Sequence, residues 1–361
     1  MRRVVFNGKF TAGALNGVHR VSARLIQEVD ALLAQAAEPD DPSFSVVVPR
    51  GGGDKIRLGV ISVFEDDQPA SQKWEQWRLP ALAKGALLVN LANLAPVLHR
   101  PKVTMLHDAQ FCRADSSYPW RQRLGYRLLT PLMARSSARV LTVSAFSGEE
   151  LATHGITGKT PVEVLANGAD HILEQDADPE ALSRLGLAPG GYALMFGSGK
   201  AYKNNRVVFD AFAGGALAPL RLVVVGPSRD VLIAAGLTPL DDAVFAGSCD
   251  DRVLRALYEG AHALLFPSLT EGFGLPPVEA MVCGCPAIVA PCGAMPEVCG
   301  DAALYADAGA PATWAQQIRA LADPGLRDRV VAAGRARGGR YTWARAGEQL
   351  LGVLRDLARR A

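Results

Sequence analysis

An α/β chain of two doubly wound units in tandem is predicted from three observations. Apolar runs of strand length alternate with amphipathic stretches of helix length along most of the sequence. The runs are rich in β-branched residues and continuous in their apolar character, as parallel strands covered on both faces require. The 361 residues also exceed one ordinary domain, at roughly 100–200 residues each.

In the first half the expected strands are RRVVF (2–6), FSVVV (44–48), LGVISV (58–63), ALLVNL (86–91), KVTML (102–106), RVLTV (139–143) and VEVL (162–165). Helices are expected over 21–37, 117–136 and 147–155. A polar stretch with Asp and Pro, 173–191, breaks the alternation and is expected to connect the units. The pattern restarts with YALMF (192–196), RLVVV (221–225), AVFAG (243–247), HALLF (262–266) and PAIVA (286–290), separated by helical stretches at NRVVFDAFAG, DDRVLRALYEGA and PPVEAMVCG. The expected organisation is an N-terminal domain at 1–172, the connection at 173–191, a C-terminal domain at 192–340 and a last helix at 341–361. That helix is amphipathic, with Leu350, Leu351, Leu354 and Leu357 on one face, and is expected to pack back toward the N-terminal domain.

Composition removes several function classes. With 49% hydrophobic and 20% charged residues the chain has material for two cores and is not a disordered protein. Thirty-eight basic against 36 acidic residues, net charge +2, argue against a nucleic-acid polycation. The longest charge-free apolar runs, 85–98 and 280–296, fall short of the ~20 residues that span a bilayer. The start, MRRVVFNGKF, lacks the apolar core of a signal peptide, so a cytoplasmic location is expected. Four of the six cysteines fall at 283–299, but C-x-C followed by wider gaps does not match paired zinc knuckles; buried thiols are the better reading.

The most informative segment is FPSLTEGFGLPPVEAMVCGCPAIVA (266–290). A strand runs into a loop ending Gly272-Phe273-Gly274-Leu275, and Pro276-Pro277 opens a helix. Such a helix start, with glycines before it, lets backbone amides approach an anion or a hydroxyl. Glu271 stands in the loop and Glu279 eight residues later in the helix, so two carboxylates can grip two parts of one hydroxyl-rich ligand. Taken alone, the E-x7-E spacing equally fits a helix-end charge and a surface charge.

The whole run resembles the signature of the retaining glycosyltransferases of family four, and in particular the bacterial polysaccharide-assembly mannosyltransferases. The resemblance extends over NGKFTAGALNGVHR (7–20), VTMLHDAQF (103–111), RVLTVSAFSGEEL (139–151), MFGSGKAYKNN (195–205) and the YTWARA turn (341–346). It implies the GT-B fold, in which two Rossmann-like domains face one another across a cleft and the C-terminal helix crosses back. Gly17 would bring its amide near the donor diphosphate, and Lys203 would contact it as a mobile point charge. Ser198 stands where the family often has an arginine. Glu271, with the amides of Phe273, Gly274 and Leu275, would engage the donor sugar, and Glu279 the ribose. His107 would lie near the reacting sugar, with Asp108 orienting it or capping the next turn. Glu271, His107 and Lys203 are thus the expected catalytic residues.

The resemblance further implies transfer of a hexose with retention of configuration, best matched by mannose from GDP-mannose, to a glycan acceptor carried on a polyprenyl diphosphate in exopolysaccharide, capsule or O-antigen synthesis. No cofactor is expected, the nucleotide sugar being a co-substrate. No metal is expected either, because the lone D-x-D, Asp176-Ala-Asp178, falls in the expected connection and not at a strand end. The acceptor side is assigned to Asp108 and to Arg121, Arg123 and Arg127, in a stretch free of acidic residues from 116 to 148. A basic stretch with Trp120 and Tyr126 fits an anionic membrane surface or a solvated basic face. Two rival readings stand beside the transferase: an isomerase like the nucleotide-sugar 2-epimerases, and a non-catalytic nucleotide-sugar-binding subunit.

Overall fold

The computed structural model describes residues 3–13, 16–113 and 119–360. Among these the chain divides into two compact units, the first comprising 3–113, 119–168 and 343–360 and the second 169–342. Residues 14 and 15 of the first loop, and 114–118 ahead of the arginine-bearing helix, lie outside the described residues.

The first unit is built on β1 (Arg3–Asn7), β2 (Ser43–Val48), β3 (Ser62–Glu65), β4 (Leu87–Asn90), β5 (Lys102–Met105), β6 (Arg139–Thr142) and β7 (Val162–Val164). All neighbours pair in parallel, in the order β3-β2-β1-β4-β5-β6-β7. The second is built on β8 (Tyr192–Phe196), β9 (Arg221–Val225), β10 (Val244–Gly247), β11 (Ala263–Phe266), β12 (Ala287–Val289) and β13 (Leu304–Tyr305), again parallel, in the order β10-β9-β8-β11-β12-β13. Each sheet reverses its strand order beside its first strand, at β1/β4 and at β8/β11. Sheets of this kind take ligands at the carboxyl ends of the strands flanking that reversal.

The helices are α1 (Gly17–Ala36), α2 (Leu79–Leu82), α3 (Trp120–Arg135), α4 (Ala145–Thr153), α5 (Ala181–Arg184), α6 (Asn205–Phe212), α7 (Arg229–Ala234), α8 (Asp251–Gly260), α9 (Leu275–Val282), α10 (Met295–Cys299), α11 (Pro311–Ala320), α12 (Pro324–Gly338) and α13 (Trp343–Arg360). They cover strands whose side chains are buried to both sides, such as Val4, Val5 and Phe6 in β1 and Ala193, Leu194 and Met195 in β8. The continuous apolar runs of the sequence have this cause.

Two expectations need correction. The run LGVISV yields a strand only from Ser62, because the amides of Gly59, Val60 and Ile61 donate to the Asp30 carboxylate at 2.7, 2.9 and 2.7 Å and so are held outside the sheet. The stretch 173–191 is folded onto the second unit, which begins at residue 169. Leu182, Leu185 and Leu187 in it pack, partly buried, against the cluster that contains Tyr192, Leu257 and Tyr258, so its polar composition hides an inward-facing leucine set.

The last helix, α13, belongs to the first unit and lies along α1. Gly347 sits so close to Glu28 that a Cβ there would meet its side chain at 2.5 Å. Leu350 and Leu354 are fully buried, each worth about 1.5–3 kcal/mol relative to exposure. Arg355 binds Asp41 at 2.7 Å, and this bond holds the Asp41 carboxyl below the usual carboxylate range. Among the described residues no helix is long and apolar enough to cross a membrane. Cys283, Cys285 and Cys299 are buried, and burial pushes the last two thiols up to about 12.

Candidate functional site

The second unit gathers its chemistry at the carboxyl ends of β8 and β11. The loop after β8 carries Ser198, Lys200 and Lys203; the loop after β11 carries Glu271 and leads into α9. The two loops are laced together. Leu269 donates its amide to the Tyr202 carbonyl at 2.7 Å, and the Asn204 amide reaches the carbonyls of Pro267 at 3.3 Å and Ala308 at 2.8 Å. Asn204 takes a left-handed conformation, φ 52°, which Asn tolerates better than most residues. Asn205 accepts the Ser198 amide at 2.6 Å and so folds the loop back on α6.

This lacing brings Lys203 Nζ to 2.6 Å from Glu271 Oε1. Both side chains are partly exposed, at 26% and 17%, which leaves them accessible to a ligand. The ammonium also lies 5.4 Å from the centres of the Tyr202 and Phe266 rings, whose faces favour a cation. Behind Glu271 the backbone is braced by the loop after β12: Ala294 donates to the Glu271 carbonyl at 3.0 Å. Gly293, at φ 60°, approaches so closely that a Cβ would stand 2.5 Å from the Glu271 nitrogen.

Helix α9 opens at Gly274, whose φ of 86° is a glycine conformation, and no side chain caps it. Pro276 and Pro277 have no N–H, so the donors offered at this helix start are the amides of Phe273, Gly274 and Leu275. Phe273 is buried edge-on against Tyr341, with centroids 5.3 Å apart. A lysine, a carboxylate and a row of amides at one strand reversal can bind a polyanion beside a hydroxyl-rich group.

Glu279 lies deeper, 6% exposed. Its Oε2 accepts the Tyr258 hydroxyl at 2.9 Å, and its Oε1 stands 3.2 Å from Nε2 of the fully buried His171. Burial and the facing carboxylate push the Tyr258 phenol well above its ordinary range, so it remains a donor. His171, Tyr258, Gly293, Asn204 and Asn205 were all missed in the sequence. The two asparagines follow Lys203 directly and were the most findable.

Gly17, His107, Asp108 and the three arginines belong to the first unit. Gly17 is the first residue of α1, exposed, with open space where a Cβ would go. His107 follows β5 and is 7% exposed. Its Nε2 donates to the Leu91 carbonyl at 2.8 Å, which leaves Nδ1 as the ring's acceptor. Its amide donates to Asn93 Oδ1 and its carbonyl accepts the Ser147 hydroxyl at 3.0 Å. Burial pushes the imidazole down to about 4, so it is neutral at pH 7. Asp108 Oδ1 accepts the Gln110 amide at 3.0 Å, capping the next turn. On α3, Arg127 donates to the Cys112 carbonyl at 2.6 Å, Arg121 lies over the Trp120 ring, and Arg123 is half-buried.

Two all-parallel doubly wound units in this strand order define a protein of GT-B type. The comparisons agree at the level of fold and go further at the level of sequence. Residues 191–323 match the family described as Glycosyl transferases group 1. The O-antigen chain mannosyltransferase B of Escherichia coli is 30% identical over 280 residues, 71% of this chain and 70% of that protein. A D-inositol 3-phosphate glycosyltransferase of Actinosynnema mirum is 32% identical over 312 residues, 79% and 69% of the two chains. Among solved structures, Anabaena HepE in complex with UDP and glucose superposes with a TM-score of 0.70 at 18% identity, covering 98% of this chain and 99% of that one. The chain belongs to the group 1 glycosyl transferases, the GT-B family that its sequence signature resembles.

Proposed function

We propose that this glycosyltransferase moves mannose from GDP-mannose, with retention and without a metal ion, to a glycan acceptor carried on a polyprenyl diphosphate. The observation that carries the reading is the Lys203–Glu271 pair at the strand reversal of the second sheet, beside the uncapped start of α9. Lys203 and the amides of Phe273, Gly274 and Leu275 take up the charge that grows on the diphosphate as the C1–oxygen bond breaks. Ser198 offers its hydroxyl to the same diphosphate, its amide being engaged by Asn205, and the Gly17 amide is assigned to it from the first unit. Glu271 accepts hydroxyl protons of the sugar, and Glu279 those of the ribose. The acceptor oxygen bonds to C1 on the face the diphosphate leaves, and its proton passes to the departing diphosphate oxygen. The His107 carbonyl and its neutral ring are assigned to the positive charge that develops at C1.

The mannose donor and O-antigen context rest on the relative named as an O-antigen chain mannosyltransferase; the relatives named for inositol phosphate support a different acceptor. A thermal-shift panel of nucleoside diphosphates and their sugars tests the donor, since a ligand that binds the folded state raises its stability. GDP-mannose should give the largest shift, and product NMR should show a retained anomeric configuration. A 2-epimerase-like isomerase would instead convert the nucleotide sugar without acceptor, and a binding subunit would show the shift with no product.

The membrane side of the proposal rests on α3. Trp120, Leu124, Leu128 and Leu132 recur every fourth residue and are 51–70% exposed, among Arg121, Arg123, Arg127 and Arg135. Helix α3 carries no acidic residue. An apolar stripe edged by arginines fits an anionic bilayer at the inner face of the cell membrane, where the lipid-linked acceptor resides. Vesicles containing phosphatidylglycerol should float the protein at low salt, and Leu124→Ser with Leu128→Ser should abolish this. Flotation that survives both substitutions removes α3 from the reading.

A further inference from the structure

We propose that the first unit carries its own small-molecule site, a pocket that binds a neutral pyranose through Lys9 and Glu75. The pocket lies at the carboxyl ends of β1 and β4, where the first sheet reverses its strand order. It is a cavity of about 300 Å³, lined in part by Asn7, Lys9, Phe10, His19, Glu75 and Leu94. That volume falls at the lower end of ligand pockets and suits a single sugar ring.

Its floor is a fixed polar array. Asn7 Nδ2 donates to Glu75 Oε1 and to Asn90 Oδ1, both at 3.0 Å, and Asn7 Oδ1 accepts the Lys9 amide at 3.1 Å. Asn90 in turn donates to the Val103 carbonyl at 3.1 Å. Lys9 Nζ reaches Glu75 Oε2 at 2.6 Å. Each carboxylate oxygen thus accepts one protein donor and keeps capacity for a ligand hydroxyl. Glu75 is only 2% exposed, an expensive place for a carboxylate unless its partners and its cavity serve a purpose.

The backbone gives an independent sign. Glu75 sits in a π-helical turn, Trp74–Arg78, a rare conformation concentrated at functional sites. The turn is held at both ends by one residue: Trp74 Nε1 donates to Asp66 at 2.8 Å, and Arg78 donates to the same carboxylate. Glu75 is therefore presented to the cavity from an anchored segment.

Charge and shape select the ligand class. Glu75 and Lys9 neutralise one another, so the pocket offers hydroxyl acceptors and a donor and no net pull on a phosphate. The Phe10 and His19 rings, 6.4 Å apart, and Leu94 supply the apolar wall that the C–H face of a pyranose needs. This deepens the proposed transfer reaction, where such a ring is the terminal sugar of the acceptor; the binding itself does not depend on that reading.

Saturation-transfer NMR on the full chain tests it, with methyl α-D-mannopyranoside, methyl α-D-glucopyranoside and inositol 3-phosphate as probes, and GDP and UDP in parallel samples. A neutral glycoside should bind, and Glu75→Gln and Lys9→Met should each weaken it about tenfold or more while leaving nucleotide binding unchanged. Circular dichroism checks folding; should Glu75→Gln unfold, the partly exposed Lys9→Met decides. No glycoside binding at about 50 mM, undiminished binding in the variants, or a preference for inositol 3-phosphate overturns the proposal. Glycoside binding without nucleotide binding upholds this pocket and sinks the proposed donor.

Discussion

Replacing Gly293 by Ala should separate the geometry of the site from the stability of the fold. The new Cβ would stand 2.5 Å from the Glu271 nitrogen and 2.9 Å from its oxygen, both backbone atoms that no rotamer change can move aside. Ordinary contact begins near 3.4 Å, so the Glu271 segment must retreat by about 0.9 Å. The left-handed backbone at φ 60° adds strain of about 1–3 kcal/mol. For a unit of this size that lowers the melting temperature by roughly 2–4 °C per kcal/mol. A displacement near 1 Å at a reacting group costs about a hundredfold in rate. Gly215→Ala is the control: its φ of 72° imposes the same strain, with nothing within 4 Å of the added atom. Transfer from nucleotide sugar, measured by release of nucleoside diphosphate, should fall about a hundredfold in Gly293→Ala only. Equal losses in both variants, or a Gly293→Ala rate within about threefold of wild type, would refute the argument that this glycine sets the position of Glu271.

Lys203→Ala should lower kcat by about 10²–10³ while EDTA leaves the wild-type rate unchanged, both read in the same release assay; a rate that collapses in EDTA ends the metal-free proposal. Tyr258→Phe removes a hydrogen bond to the buried Glu279 carboxylate and should raise the donor KM about tenfold, since bonds to charged groups carry about 1.5–3 kcal/mol. The His107 imidazole is depressed to about 4 in the fold, against 6.5 unfolded. The unfolded chain therefore binds the extra proton between these values, and stability falls as pH drops from 6.5 toward 4, by a contribution of the order of 3 kcal/mol. Urea titrations should show a shallower loss across that window for His107→Gln, which can keep the bond to Leu91.

The strands were legible because burial on both faces leaves uninterrupted apolar runs, and twelve of them could be placed from sequence. Strand β13 escaped because two residues, Leu304 and Tyr305, carry no pattern. Helix α12 escaped for a different reason. Its inward face includes Gly334 and Gly338, which pack against Met281 and Val282 where larger side chains would not fit, so close approach replaces the apolar stripe. At the site, Lys203 and Glu271 could be named singly from their motifs, but their contact depends on Asn204 and Leu269 joining two loops. The partners of Glu279 come from other elements altogether, and nothing in the spacing around Glu279 announces a tyrosine on α8 or a histidine ahead of α5.

The return of α13 to α1 has a practical consequence for anyone dividing this chain for separate expression. A fragment cut after residue 168 would bare the side of α1 where Glu28 meets Gly347, and would leave Asp41 without Arg355. A faithful N-terminal half needs residues 343–361 spliced back on by a short linker, while 169–342 is one continuous stretch of the chain.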